Sequence, residues 1–434
     1  MKFLLGPFIL DVAFAFFMML SLLKPEMQAQ ELPVSGGGTG ASTAPAAIAN
    51  LGLPTISVTS FGATGDGVTD DTAAINSAMS SCVSRAFPFN GCNLYFPSGI
   101  YITTGLTLQS YIHITGDGWT TAVIKLKHRT HSDVLTIPAG TFNFSIFGVT
   151  IDGNSSHGGT GNCLTIAATP MASGKVNTAN KQTAQENAFK FGYIEQDIFS
   201  NCSNDGLHIE AFNYALFVDN IYVFHSGVYG IYDAGTDSIY SNFVADTSGT
   251  SGLHITGSNN KYANSKVITS GTKVSTEAAV YVAGVRNTLT SIETQDNYTN
   301  GFTDIGIDNQ FTACLSDANG YAHANNNASS LVASGFVIEG TGGVYIGDKV
   351  TNYRGRLADG NFPTEWPYTI KKPDQSRIDI SYDGTNSPPP TVAGVPQVGS
   401  PVAGHGACIK SAGPPVVLGY CSTALSAAGT CTCN

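Results

Sequence analysis

Apolar residues return at long, near-constant intervals through the second half of the chain. Ile194, Phe217, Ile239, Tyr262, Leu289 and Phe311 stand 23, 22, 23, 27 and 22 residues apart in matching local contexts. Within each interval a small residue opens a short alternating segment, as in residues 206–209 (Gly-Leu-His-Ile), 230–233 (Gly-Ile-Tyr-Asp), 252–255 (Gly-Leu-His-Ile) and 279–282 (Ala-Val-Tyr-Val). Alternation of period two predicts strands, and a repeat of this length predicts a solenoid whose rungs stack on one another. Earlier rungs are predicted over residues 94–100, 106–116, 122–126 and 147–154.

Ahead of them, residues 56–72 predict a strand running into a Gly/Asp turn and then a helix from about Thr72, capped by Asp70 or Asp71. Ile75, Ala78, Met79 and Cys82 form one apolar stripe on that helix. Such a helix covers the first rung, whose unpaired strand edge would otherwise invite aggregation.

Alternation also assigns faces. Leu207, Ile231, Leu253, Val280 and Phe302 are expected to point inward, and His208, Tyr232, His254, Tyr281 and Thr303 outward, on rungs about 4.8 Å apart. A row of rings over four rungs spans roughly 15 Å, the length of a few sugars, and sugar rings stack on aromatic faces. Asp205, Glu210, Asp233, Asp237, Glu277, Asp304 and Asp308 lie beside this row. Glycoside hydrolysis needs two carboxyl groups about 5 Å apart for retention or roughly 6.5–9.5 Å for inversion. Asp205 with Asp233, or Glu277 with Asp304, meets that spacing, whereas Asp205 with Glu277 spans three rungs. Elimination instead needs a base, offered by His208, His254, Tyr232 or Tyr281, and a cation, offered by Lys273 or Arg286. Asn220 and Asn242, with Ser265, are expected to form a structural amide ladder along a turn.

Only 12% of residues are charged, the formal net charge is −11, and no basic cluster stands out, which excludes nucleic acid as the expected partner. There is no phosphate-binding Gly loop, no Ser nucleophile elbow and no metal-ligand cluster, so the reading calls for no cofactor and no metal. Of the nine cysteines, Cys82 and Cys92 make a plausible disulfide. Cys163, Cys202 and Cys314 read as small apolar residues inside rungs, and Cys408, Cys421, Cys431 and Cys433 crowd the end. The expected organisation is a signal peptide or N-terminal anchor over 1–29, a Gly-rich linker over 30–53, the solenoid over 54–384, and a Gly/Pro-rich, Cys-containing C-terminal module over 385–434.

Residues 61–78, Phe-Gly-Ala-Thr-Gly-Asp-Gly-Val-Thr-Asp-Asp-Thr and the helix start, resemble the opening signature of the pectate lyase superfamily, in the pectin lyase-like branch of rhamnogalacturonases, epimerase-like proteins and phage tailspikes. Residues 36–53 are similar to a segment common in phage tail fibres and tailspikes. The resemblance implies an all-β, single-stranded right-handed parallel β-helix with an N-terminal capping helix. It further implies action on a polysaccharide, a homotrimer, and either secretion or a place in a virion tail. Asn204-Asp205-Gly206 resembles the polygalacturonase element only loosely, and the paired aspartates expected a rung later are absent around Val228 and Tyr229. The function expected is a polysaccharide depolymerase cleaving by hydrolysis or β-elimination. A non-catalytic glycan-binding fibre or adhesin, and a secreted pectin-degrading enzyme, are the alternatives.

Overall fold

The computed structural model describes residues 55–85, 91–168, 189–273, 277–320 and 335–351, together with strand segments at 368–370, 377–382, 391–392, 407–411 and 417–420. The expected leader and linker, Cys421, Cys431 and Cys433 lie outside the described residues.

The chain is a right-handed parallel β-helix. Successive strands cross back to pair in parallel with the next turn of the coil, the connection whose hand is right in almost all known cases. In a representative rung, Tyr214–Asp219 meets Tyr222–Ser226 at a sharp corner, and a turn then leads to the short strand Ile231–Asp233. The first two strands of each rung belong to one twenty-stranded sheet, and the third belongs to an eleven-stranded sheet running from Leu106–Thr107 to Thr391–Val392. Beyond it, Ala407–Ser411 and Val417–Tyr420 pair antiparallel.

The helix Thr72–Arg85 buries Ile75, Ala78, Met79 and Cys82 and packs against the strands Thr55–Ser57 and Cys92–Phe96. Asp70 caps it, accepting from Thr72 N–H at 3.1 Å and from the Thr72 hydroxyl at 2.6 Å. Asp71 instead turns back to the loop, accepting from Thr64 N–H at 2.7 Å.

The inward column on the short sheet is as predicted: Leu207, Ile231, Leu253, Val280 and Phe302 pair rung to rung and are at most 1% exposed. On the long sheet the register corrects the sequence. Ile194 pairs with Val218, Val218 with Tyr240, Tyr240 with Tyr262, and Tyr262 with Leu289. Phe217 and Ile239 are one residue out of phase with that column, and Ile239 is 42% exposed. Both positions carry adjacent bulky residues, so apolarity alone does not choose the face.

The amide ladder also sits elsewhere. Asn220 and Asn242 are corner residues with φ of 50° and 54°, a left-handed conformation that Asn tolerates. The ladder is built by Asn260, Asn287 and Asn309, where Asn260 N–H donates to Asn287 Oδ1 at 3.0 Å and Asn287 N–H to Asn309 Oδ1 at 2.9 Å. Asn297 and Asn319 form a second one, with Asn297 Nδ2 donating at 2.7 Å. These amides satisfy backbone groups inside turns that neither sheet reaches.

Cys82 and Cys92 are disulfide-bonded as expected, joining the helix to the first rung. Cys163 and Cys202, expected as free apolar residues, form a second disulfide because their rungs stack directly. Cys314 is buried and free. Close stacking also dictates some glycines: a Cβ on Gly284 would run into the Gly257 carbonyl one rung away.

Candidate active site

The outward column of the short sheet forms a stacked ladder. His208 pairs in register with Tyr232, Tyr232 with His254, His254 with Tyr281, and Tyr281 with Thr303. Ring centroids are 4.6 Å apart for His208 and Tyr232, 5.4 Å for Tyr232 and His254, and 5.0 Å for His254 and Tyr281, with interplanar angles of 13°, 21° and 21°. The rings therefore cover one another's faces. What they offer outward is their edges, phenol hydroxyls and imidazole nitrogens, so the faces expected to stack on sugars are taken up by neighbouring rings.

The turn preceding each short strand supplies the carboxylates. Asp205 Oδ2 is 2.6 Å from His208 Nδ1 within one rung. Glu277 Oε2 is 3.0 Å from His254 Nδ1, reaching back from the following rung. Each carboxylate accepts a hydrogen bond from Nδ1–H, which fixes the tautomer and leaves the basic lone pair on Nε2.

Tyr229 completes the group and was missed by sequence reasoning. Its backbone N–H donates to Asp205 Oδ1 at 3.0 Å, its hydroxyl to Glu277 Oε1 at 3.4 Å, and its ring lies 4.3 Å from that of His254. The signal was available, because Tyr229 stands two residues ahead of the inward Ile231 as Asp205 does ahead of Leu207, so the two share one turn position in neighbouring rungs.

Burial pushes the Tyr229 phenol up to about 12, assisted by the negative charges of Glu277 and Asp205. Tyr281 is raised in the same way, by burial first and then by Glu277 and Glu339. Both are proton donors at neutral pH. For Glu277, burial acts upward, but hydrogen bonds from His254, Ser251 and Tyr229, together with the charge of His254, leave the carboxyl below its ordinary value.

The structure brings Asp205, His208, Tyr232, His254, Glu277 and Tyr281 together and places three expected residues elsewhere. Asp233 is wholly buried inside the coil and accepts from Asn260 Nδ2 at 3.0 Å, Gly235 N–H at 2.7 Å and the Tyr262 hydroxyl at 2.5 Å. Asp304 is 2% exposed and accepts from Tyr345, Asn309 and Gly306. Asp233 and Asp304 stand two residues beyond the inward Ile231 and Phe302, so strand alternation turns them inward, and the expected pairs of Asp205 with Asp233 and Glu277 with Asp304 do not form. Arg286 occupies a left-handed turn position with φ 55°, and its Nε donates to Asn259 Oδ1 at 2.9 Å, away from the ring column. Lys273 is exposed, with Nζ donating to the Gly227 carbonyl two residues from Tyr229.

Two imidazoles oriented by carboxylates, flanked by protonated phenols, can accept and donate protons along one extended ligand. Asp205 and Glu277 are each paired with an imidazole, and the charge of Glu339 also reaches Tyr281.

Several known proteins resemble parts of this chain. Mannuronan C5-epimerase AlgE2 of Azotobacter vinelandii is 38% identical over 110 residues, covering 22% of this chain and 11% of that protein. Alginate lyase 7 of the same organism is 34% identical over 113 residues, covering 23% of this chain and 13% of that protein. The chain thus spans about a tenth of the length of these curated relatives. Among solved structures, full-length tailspike protein 2 from the Escherichia coli O157:H7 bacteriophage CAB120 shares the fold, with a TM-score of 0.55 at 17% identity over 76% of this chain and 44% of that one. Residues 55–303, more than half of the chain, match the family described as rhamnogalacturonase A/epimerase, pectate lyase-like, and the chain belongs to that family.

Proposed function

We propose that this protein cleaves a uronate-containing polysaccharide by β-elimination, with the His208 to Tyr281 ladder as the active face. The observation that carries the reading is the pairing of each ladder imidazole with a carboxylate, at 2.6 Å for His208 and 3.0 Å for His254, which orients two candidate bases on one face. Relatives named as a mannuronan epimerase and an alginate lyase act on uronate polymers, which supports the substrate class.

In the proposed reaction His208, the more exposed imidazole, takes the C5 proton at Nε2 while Asp205 stabilises the resulting imidazolium. The C5 electron pair forms the C4–C5 double bond, the C4–O glycosidic bond breaks, and the departing oxygen takes a proton from the Tyr229 phenol. Tyr232 donates a hydrogen bond to the uronate carboxylate as charge develops on it. His254, held by Glu277, faces the carboxylate of the neighbouring sugar. All of these groups project from one face, which suits removal of the proton and protonation of the leaving oxygen from the same side. Epimerisation would require a donor on the other side of the sugar.

Incubation with alginate, pectate and a panel of bacterial exopolysaccharides tests the reading. Ultraviolet absorbance from an unsaturated uronate is expected. New reducing ends without that absorbance would establish hydrolysis and overturn it, and solvent deuterium entering C5 without chain scission would replace elimination by epimerisation. Binding without any product would favour a glycan-binding fibre or adhesin. The disulfides support maturation in an oxidising compartment, and therefore secretion, and the tailspike likeness supports a virion-borne homotrimer; mass measurement of the native particle separates these.

A further inference from the structure

Composition and net charge hide a basic patch. Lys127, His128, Arg129, His131 and His157 are all exposed and lie on two stacked turns. Arg129 N–H donates to the His157 carbonyl at 3.2 Å, the His128 and His157 rings are 6.2 Å apart, and His131 Nδ1 is 2.8 Å from the Thr160 hydroxyl on the next turn. The patch is local and leaves the formal net charge of −11 as it stands. Residues 127–131 carry four of its five groups, and the stacked turn adds His157.

The position of the patch gives it a meaning. Asn204 N–H donates to the Gly161 carbonyl, and Val228 N–H donates to the Asn204 carbonyl. The turns bearing His131, Thr160, Asp205 and Tyr229 therefore form one continuous column along the same edge of the short sheet. His131 lies two rungs, on the order of 10 Å, from Asp205. Two carboxylates at the patch are ion-paired, Asp70 with Lys127 at 3.0 Å and Asp152 with Lys125 at 3.3 Å, which leaves Arg129 and the imidazoles to meet a ligand, while Asp133 accepts from Asn162 N–H at 2.8 Å. Among the described residues, no carboxylate is paired with Arg129, His128 or His157.

We infer that the patch is an anion-binding subsite of the same groove, holding the carboxylates of a polyuronate beyond the span of a trimer bound over the ladder. The inference rests on the elimination reading for the identity of the ligand. It adds that the substrate is an extended polyanion lying along the coil axis toward the helix-capped end, and that chain length is sensed there. The net charge of −11 acts on any polyanion alike, so the choice of a uronate strand rests on the elimination reading.

The test compares a mannuronate trimer with an octamer, using calorimetric binding to the full chain at low ionic strength. The triple variant H128N/R129N/H157N removes charge while Asn tolerates the left-handed φ of 56° at position 129. The octamer is expected to weaken about tenfold in the variant, with a shallower salt dependence, while the trimer is unaffected. In turnover the loss appears in KM for long substrate and not in kcat. Equal weakening of trimer and octamer, an unchanged salt dependence, or tighter binding of a single-stranded DNA of equal charge would each overturn the subsite. If the octamer binds with this dependence but no unsaturated product forms, the subsite stands and the elimination reading falls; product with no length dependence does the reverse.

Discussion

Glu277 holds the Nδ1 of His254 at 3.0 Å from the rung that follows it, whereas Asp205 holds His208 from within its own rung at 2.6 Å. The longer side chain spans the extra rung spacing. Two turns in the same column thus produce the same carboxylate–imidazole pairing by different routes. Glu277→Gln keeps the length and a hydrogen-bond acceptor but removes the charge. Activity is expected to fall about a hundredfold while the circular dichroism spectrum is unchanged. Wild-type turnover in this variant would detach the pair from the chemistry.

Tyr229→Phe removes the proposed proton donor without altering the ring that packs beside His254. A fall of about 10²–10³ in kcat with little change in KM is expected on substrates with a poor leaving group. An activated aryl leaving group that needs no proton should restore most of the rate. Equal loss on both substrates would show that Tyr229 acts by packing alone.

Burial raises the carboxyls of Asp233 and Asp304 above their ordinary value, hydrogen bonds offsetting only part of the effect. An acid whose folded value lies above its unfolded one loses stability as pH rises, starting near the unfolded value of about 4 and continuing up to the folded value. Asp304→Asn is uncharged and lacks that term. Urea midpoints between about pH 4 and pH 7 should therefore fall less in the variant than in the wild type, whatever the absolute difference, and catalysis should persist. Identical slopes would show that Asp304 ionises without cost in the fold.

The Cys163–Cys202 disulfide closes a loop with a sequence separation of 39, on the rungs just ahead of His208. By the chain-entropy argument its loss costs about 4 kcal/mol. Cys202→Ser is expected to lower the melting temperature by several degrees and to make the wild type and variant converge under reducing conditions. A melting temperature insensitive to reductant in the wild type would contradict the bond.

Where each rung carries one small residue followed by strict alternation, as in Gly206 to Ile209, the face of every side chain was legible, and the ladder of rings followed correctly. Where two bulky residues adjoin, as Phe217 with Val218 or Ile239 with Tyr240, periodicity left the phase open by one residue, and hydrogen-bond register decided it. Asp233 and Asp304 were misassigned for the opposite reason: the alternation that turned Ile231 and Phe302 inward applied to them as well, but charge was allowed to outweigh it. Buried Tyr262 and Tyr345 supply hydroxyls that make an interior carboxylate tolerable, a pairing that joins residues 29 and 41 positions apart and has no local signature. The disulfide between Cys163 and Cys202 is non-local in the same sense.

The turn that carries Lys273 and Glu277 is five residues longer than its counterpart one rung earlier, as the pairings of Asp246 with Ile268 and of Ile255 with Val282 require. The strands on either side keep their register through this insertion. The coil therefore separates heritable chemistry from heritable architecture. A change in the length of a single turn can install or remove a charged group above the ladder while every backbone pairing of the scaffold survives, so descendants of one coil can diverge in reaction without first becoming unstable.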